Sequence, residues 1–215
     1  IQDNGRIIIV GDFTSYNGKA LNRIARLHDD GSVDETFNVG SGANFSIHDV
    51  SETVDGGIVL VGDFNNFNGA QCMGIVVLHE NGEIDKLFDS GVGFDASARS
   101  VVVQDDGKIL VGGFFSSYNG NDTTRLVRLN PDGSRDPDFD CGSGAGGSVY
   151  TLALQSDGKI FVGGSFGEFN GLKRNAICRL NPDGSVDPTI NFGTGPNGSV
   201  LAIYPKADSK ILIGG

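Results

Sequence analysis

Asp157-Gly158-Lys159-Ile160-Phe161-Val162-Gly163-Gly164-Ser165-Phe166-Gly167-Glu168-Phe169-Asn170-Gly171 decides the fold: a tight turn, an apolar run, a diglycine and an aromatic-capped second turn. The stretch is written four times. Its last glycine recurs at Gly18, Gly69, Gly120 and Gly171, its asparagine at Asn17, Asn68, Asn119 and Asn170, and its phenylalanine at Phe13, Phe64, Phe115 and Phe166, in steps of 51 residues. A fixed period of about this size marks stacked supersecondary units, none of which can bury its apolar face alone.

Strands lie on both sides of the turn. Arg99 to Val103 and Ile109 to Gly113 flank Asp106-Gly107, as Val149 to Gln155 and Ile160 to Gly164 flank Asp157-Gly158. Asn4-Gly5, Asp55-Gly56 and Asp208-Ser209 stand at the same place. Such dipeptides favour tight hairpins because they tolerate positive φ. A third strand follows at Ile24 to Leu27, Ile75 to Leu78, Leu126 to Leu129 and Ile177 to Leu180. It is apolar on both faces, which implies neighbours on both sides. A short fourth strand carries Asp34, Asp85, Asp136 and Asp187, then an apolar anchor at Phe37, Phe88, Phe139 or Ile190.

Four short antiparallel strands per 51-residue unit, without helical periodicity, predict an all-β fold: a β-propeller of four-stranded blades, about four of them in this chain. Residues 1–215 then form a single propeller segment, with a partial blade at 1–46, blades at 47–97, 98–148 and 149–199, and the start of another at 200–215. The first strand, Val149 to Gln155 and its equivalents, is expected innermost: Val50, Val101, Leu152 and Ile203 stay apolar, while His48, Arg99 and Tyr150 exchange freely at one position. Ile7 to Gly11 and Ile211 to Gly215 both copy the second strand. From that overlap the chain is expected to be an excerpt, with further repeats or a partner chain completing a ring of about six to eight blades.

The 34 glycines and the absence of tryptophan suit a turn-dense chain of short strands. A formal charge of -11 disfavours nucleic acid as a partner. No apolar run approaches the roughly 18 to 20 residues that span a bilayer, so membrane insertion is not expected, and no basic-then-apolar leader opens the chain. Cys72, Cys141 and Cys178 occupy three different repeat positions and read as buried free thiols rather than a staple or a metal frame.

The diglycine after the second strand resembles the kelch repeat, without the tryptophan that repeat carries near its end. The unit is more similar to the delta-sixty repeat of large bacterial surface and secreted proteins, D-G-K-I-L-V-G-G-x-F, then F-N-G, then R-L-N-x-D-G-S-x-D-x-x-F. Asp106 to Phe139 and Asp157 to Asp187 carry nearly all of it. Departures are Val10 and Val61 for the first glycine, His28 and His79 for Asn, Val77 for Arg, and Ile190 for Phe. The resemblance implies a propeller and an extracellular, cell-surface or envelope setting in a bacterium, and it supplies no catalytic residues.

The aromatic pair after the diglycine, for instance Phe166 and Phe169, could stack on a sugar. Its presence in every copy favours packing of unit on unit. Asn130, Asp132, Ser134 and Asp136, repeated as Asn181, Asp183, Ser185 and Asp187, alternate as calcium ligands do. The glycine falls at the wrong position and no bidentate glutamate closes the loop, so no metal is expected and calcium is only the alternative. No cofactor is expected. Neither the histidines His28, His48 and His79 nor the turn carboxylates form a catalytic set, and the chain reads as a non-enzyme. Variable loops at one end of the blades then point to a binding or adhesion module for a glycan or protein, through Asn22, Asn44, Phe45, Gln71, Phe94, Asp95, Asp122, Lys173 and Arg174. The alternatives are a structural spacer within a surface fibre or envelope and, more distantly, a glycan-active enzyme.

Overall fold

The computed structural model describes residues 1–2, 4–208 and 210–215. The Asp208-Ser209 turn therefore lies partly outside the described residues. Every regular element among them is a strand. Three sheets have three strands each, with the second strand in the middle. The first strands are Ile47–Glu52, Ala98–Val103 and Val149–Leu154, the second Ile58–Gly62, Ile109–Gly113 and Ile160–Gly164, and the third Ile75–Leu78, Leu126–Leu129 and Ile177–Leu180. Two-stranded sheets stand at either end, Ile7–Val10 with Ile24–Leu27 and Ala202–Pro205 with Ile211–Gly214. Register repeats with the sequence: Val50, Leu60 and Val76 align across one blade, and Val101, Val111 and Val127 across the next. Leu152, Val162 and Cys178 align across the third. Cys178 is thus a small apolar residue in a valine position, and all three cysteines are free and buried.

The expected fourth strand shrinks to one bridge per unit, Leu27 with Val33, Leu78 with Ile84, Leu129 with Arg135 and Leu180 with Val186. The aspartate that follows ends it. Its Oδ1 accepts the N–H two residues on, 3.0 Å from Thr36, 2.8 Å from Leu87, 3.1 Å from Asp138 and 2.9 Å from Thr189, so the chain turns away from the ladder. Oδ2 meets the arginine of the third strand, with Nε of Arg26, Arg128 and Arg179 at 2.7, 2.6 and 2.8 Å. Each guanidinium also lies over a phenylalanine, Arg26 on Phe37 and Arg128 on Phe139, both at 4.7 Å. Where Ile190 replaces that ring, Arg179 sits over Phe161 instead, at 5.7 Å.

Blades are tied to each other at three radii. Near the axis, Asp49 Oδ2 accepts Ser100 Oγ at 3.0 Å and the Val101 N–H at 2.9 Å, and Ser100 Oγ accepts the Leu152 N–H at 3.1 Å. First strands thus lean on first strands, the inner-to-outer order expected. Farther out, the Asp89 and Asp140 N–H groups bond the carbonyls of Asp132 and Asp183, both at 2.9 Å. At the other end of the blade, two-residue hairpins such as Ser117–Tyr118 with Asn121–Asp122 clasp the connection arriving from the previous blade. Asn68, Asn119 and Asn170 take positive φ of 47 to 48° in these turns. Their Oδ1 atoms accept from Ser41, Val92 and Ser143 at 3.1 to 3.2 Å. A Cβ on Gly40, Gly91 or Gly142 would run into those amides, which is why the connections are rich in glycine.

Between these ties lies the core. Phe64, Phe67, Phe115, Tyr118, Phe166 and Phe169 are all buried, so in these three copies the aromatic pair packs the blades, while Phe13 and Tyr16 of the first copy are half-buried. The last sheet differs: Leu212 is 59% and Ile213 48% exposed, against 1% and 0% for Phe161 and Val162 one repeat earlier. Among the described residues no helix is long and apolar enough to cross a membrane.

Candidate functional site

The first strand of each blade starts beneath the diglycine of the second. Cβ atoms on Gly62, Gly113 and Gly164 would meet the backbone of Ser46, Ser97 and Ser148, so glycine allows a crossing that no side chain would. The first glycine makes room in the same way: a Cβ at Gly163 would lie 2.9 Å from Val200 Cγ1. In the blade that carries Val61 in place of this glycine, the corresponding residue of the next blade is Ala98 rather than valine, and both lie in one buried cluster. Volume is exchanged across the interface.

At that crossing the pairing skips one residue, leaving His48, Arg99 and Tyr150 as β-bulges. Bulges re-aim a side chain and are common at functional rims. Here they join with the residue that follows the second strand, Asp63 or Phe114, into one row across three blades. His48 Nε2 lies 2.8 Å from Asp63 Oδ2, and Arg99 Nη1 lies 3.4 Å from His48 Nδ1. A guanidinium only donates, so Nδ1 accepts and Nε2 carries the hydrogen that Asp63 receives. Burial pushes the Asp63 carboxyl up, but the Ser97 hydroxyl, then His48 and the nearby charge of Arg99, outweigh it and hold the carboxyl below its ordinary value. The Arg99 guanidinium sits 4.5 Å above the Phe114 ring, and Tyr150 meets that ring edge-on at 5.5 Å. Arg99 Nε is buried without a partner.

Several of the loop residues expected to bind hold neighbouring backbone in place. Asn44 and Asp95 are exposed but cap hairpins, accepting the N–H groups of Asn65 and Asn66 and of Ser116 and Ser117. Asn22 donates to the Ser41 carbonyl at 2.8 Å, holding the connection that leaves its own blade. Gln71, Asp122 and Lys173 stand in hairpin strands opposite Asn66, Ser117 and Glu168, each on its own blade, and Arg174 donates to the Lys173 carbonyl. Phe45 is 54% exposed. Phe94 is a correction: it is buried, 4.3 Å from the Phe115 ring and 4.8 Å from Tyr118, and its repeat position, Ala43 or Ala145 elsewhere, varies with core volume.

The residues of the calcium alternative are engaged with their neighbours. Asp132 and Asp183 accept the N–H and hydroxyl of Ser134 and Ser185, while Asn130 and Asn181 donate to the same hydroxyls. Asp136 and Asp187 turn away onto Arg128 with Lys108 and Arg179 with Lys159. Their charge is met by arginine and lysine, which leaves no ligand set. Among the described residues no cluster of three or more His, Cys, Asp or Glu side chains could hold a metal. Burial pushes the thiols of Cys72 and Cys178 up to about 11 and about 12, far from the thiolate a nucleophile needs.

The bulge row escaped the list of sequence candidates. Its signal was the free exchange of His48, Arg99 and Tyr150 beside invariantly apolar neighbours, but a bulge cannot be read from one strand alone.

The family described as "Domain of unknown function (DUF5122) beta-propeller" matches residues 2–37, 55–88, 104–139 and 155–189. No curated protein matches the chain. Among solved structures it is similar to the WD40 beta propeller domain of Doa1, with 15% identity and a TM-score of 0.66 over 100% of this chain and 58% of that one. It is similar to the gluconolactonase XC5397 of Xanthomonas campestris, with 14% identity and a TM-score of 0.63 over 100% of this chain and 67% of that one. PorZ, a bacterial surface component of the type-IX secretion system of Porphyromonas gingivalis, has 11% identity and a TM-score of 0.52 over 99% of this chain and 30% of its own. Identities this low carry the fold alone.

Proposed function

From the premise that this chain belongs to the DUF5122 beta-propeller family, we propose that it is a non-catalytic binding module of a large bacterial cell-surface or secreted protein, engaging a glycan or protein at the loop end of its blades. One observation carries this reading: the asparagine clasp recurs unchanged from blade to blade at Asn68, Asn119 and Asn170, whereas the bulge positions exchange His48, Arg99 and Tyr150 at one fixed geometry. A rigid scaffold presenting changeable side chains is how loop-bearing folds host recognition. The delta-sixty resemblance and the surface setting of PorZ support the extracellular placement. The uniform ties between blades favour a second reading, a rigid spacer within a surface fibre.

A glycan array probed with the purified chain, followed by titration calorimetry, tests the proposal. Saturable binding of a glycan that is weakened by substitutions at the bulge positions is expected. Absence of binding to any glycan or surface protein would leave the spacer. Hydrolysis of a sugar lactone above the buffer rate would overturn the non-catalytic reading.

A further inference from the structure

Arg99 is half-buried at the mouth of the blades with one weak side-chain partner, the 3.4 Å contact to His48 Nδ1, and a buried Nε that has none. The arginines of the third strands, Arg26, Arg128 and Arg179, are by contrast each paired with an aspartate. A guanidinium held over Phe114 at 4.5 Å has given up much of its conformational freedom and presents a planar fork of donors, the geometry that matches a carboxylate. Beside it, the Tyr150 hydroxyl bonds to no group among the described residues, and the Phe114 and Tyr150 rings, half-buried, give an apolar surface of the kind on which the C–H face of a pyranose rests. At the far end of the row Asp63 keeps acceptor capacity beyond its bond to His48.

A bare anion would gain Arg99 but be repelled by Asp63. A sugar acid brings both complements, a carboxylate for the guanidinium and hydroxyl donors for the aspartate, on one ring. Resting on the binding-module reading, we infer that the row from Asp63 through His48, Arg99 and Phe114 to Tyr150 is a site for a carboxylate-bearing sugar, with the carboxylate on the Arg99 fork and the ring against the two aromatics.

The test is calorimetric titration of the intact chain with oligogalacturonides and sialyl oligosaccharides, each beside its methyl ester, which keeps the sugar and removes the charge. The acidic forms should bind at least about tenfold more tightly than the esters, in a salt-dependent way. Arg99→Lys, which keeps the charge but not the fork, should lose about tenfold or more, and Tyr150→Ala should weaken acid and ester alike. Thermal unfolding identifies any variant that fails to fold, and Arg99→Lys with Tyr150→Phe are the conservative pair that keeps the question answerable. Equal affinity for acid and ester, no binding of any acidic sugar, or unchanged affinity in Arg99→Lys would each overturn the assignment. Binding of a neutral glycan or a protein elsewhere on the loop end would do so while leaving the binding module standing.

Discussion

Asp136 and Asp49 are both carboxylates held by hydrogen bonds, the first within its blade and the second across to the next, and their surroundings push them in opposite directions. Burial alone would raise Asp136, but the Asp138 N–H, Lys108 and Arg128 hold it below its ordinary value of 3.8. A carboxyl lowered by folding adds stability that is full above the ordinary value and is lost as pH falls through the folded one. Asp34 and Asp187 act in the same sense. Denaturant melts between pH 5 and pH 2 should therefore show stability falling steeply, and Asp136→Ala should cost about 3–5 kcal/mol at pH 7 by leaving Arg128 buried and unpaired. Asp85, whose blade carries Val77 in place of the arginine, is the internal control: its side chain is 21% exposed, and Asp85→Ala should cost about 1 kcal/mol or less. For Asp49, burial outweighs its bonds to Val101, Val50 and Ser100 and raises the carboxyl. Its contribution runs the other way, most favourable below the ordinary carboxyl value and declining as pH rises through the folded one. Asp49→Asn, which retains an acceptor for Ser100, should flatten that decline and leave neutral-pH stability equal or higher.

Among the elements, the tight turns, the strand order and the buried aromatic pair were legible because each follows from a local rule repeated four times. The one-bridge fourth strand was not, since the aspartate's cap on its own backbone, made even at Asp85 where Val77 replaces the arginine, ends the ladder without any mark in the apolar alternation. Nor were the hairpin strands at Asn121 and Asp122, two residues being too few to show alternation. Phe94 shows the general hazard. Variation among repeats signals a free surface where the position is exposed and an exchange of volume where it is buried, and only the neighbours Phe115 and Tyr118 tell which. The hairpin clasp can be tested on its own. Gly91 has φ of 57° and faces the Asn119 amide, while Gly120 has φ of 72° with nothing within 4 Å. Gly91→Ala should cost about 1–3 kcal/mol in urea melts, through both strain and collision. Gly120→Asn, suited to the same backbone region and unobstructed, should cost a few tenths.

For the whole molecule, stability in stacked repeats is a sum over units and the interfaces between neighbours. The last sheet is poorly covered, with Leu201, Tyr204, Leu212 and Ile213 all exposed. Apolar surface so grouped drives association. The 215-residue chain should bind a hydrophobic dye and self-associate with rising concentration, and a Leu212→Ser, Ile213→Ser double variant should reduce both while changing the melting temperature little. The same change one repeat earlier, Phe161→Ser with Val162→Ser, should cost several kcal/mol, because those side chains are enclosed. Equal behaviour of the two double variants in light scattering and thermal melts would refute this account.

The three ties between adjacent blades matter most when the chain is pulled. Tension applied between the two ends cannot peel an inner strand without also loading the backbone bonds farther out and the asparagine clasp, since all three join the same pair of blades. The molecule should resist stretching as a row of rivets, holding until one whole interface fails and then paying out a complete repeat. In an optical trap that would appear as successive rips of about 17–18 nm, the contour length of 51 extended residues, each at similar force, and the blade that lacks the Arg–Asp pair, around Val77 and Asp85, should be the first to give way.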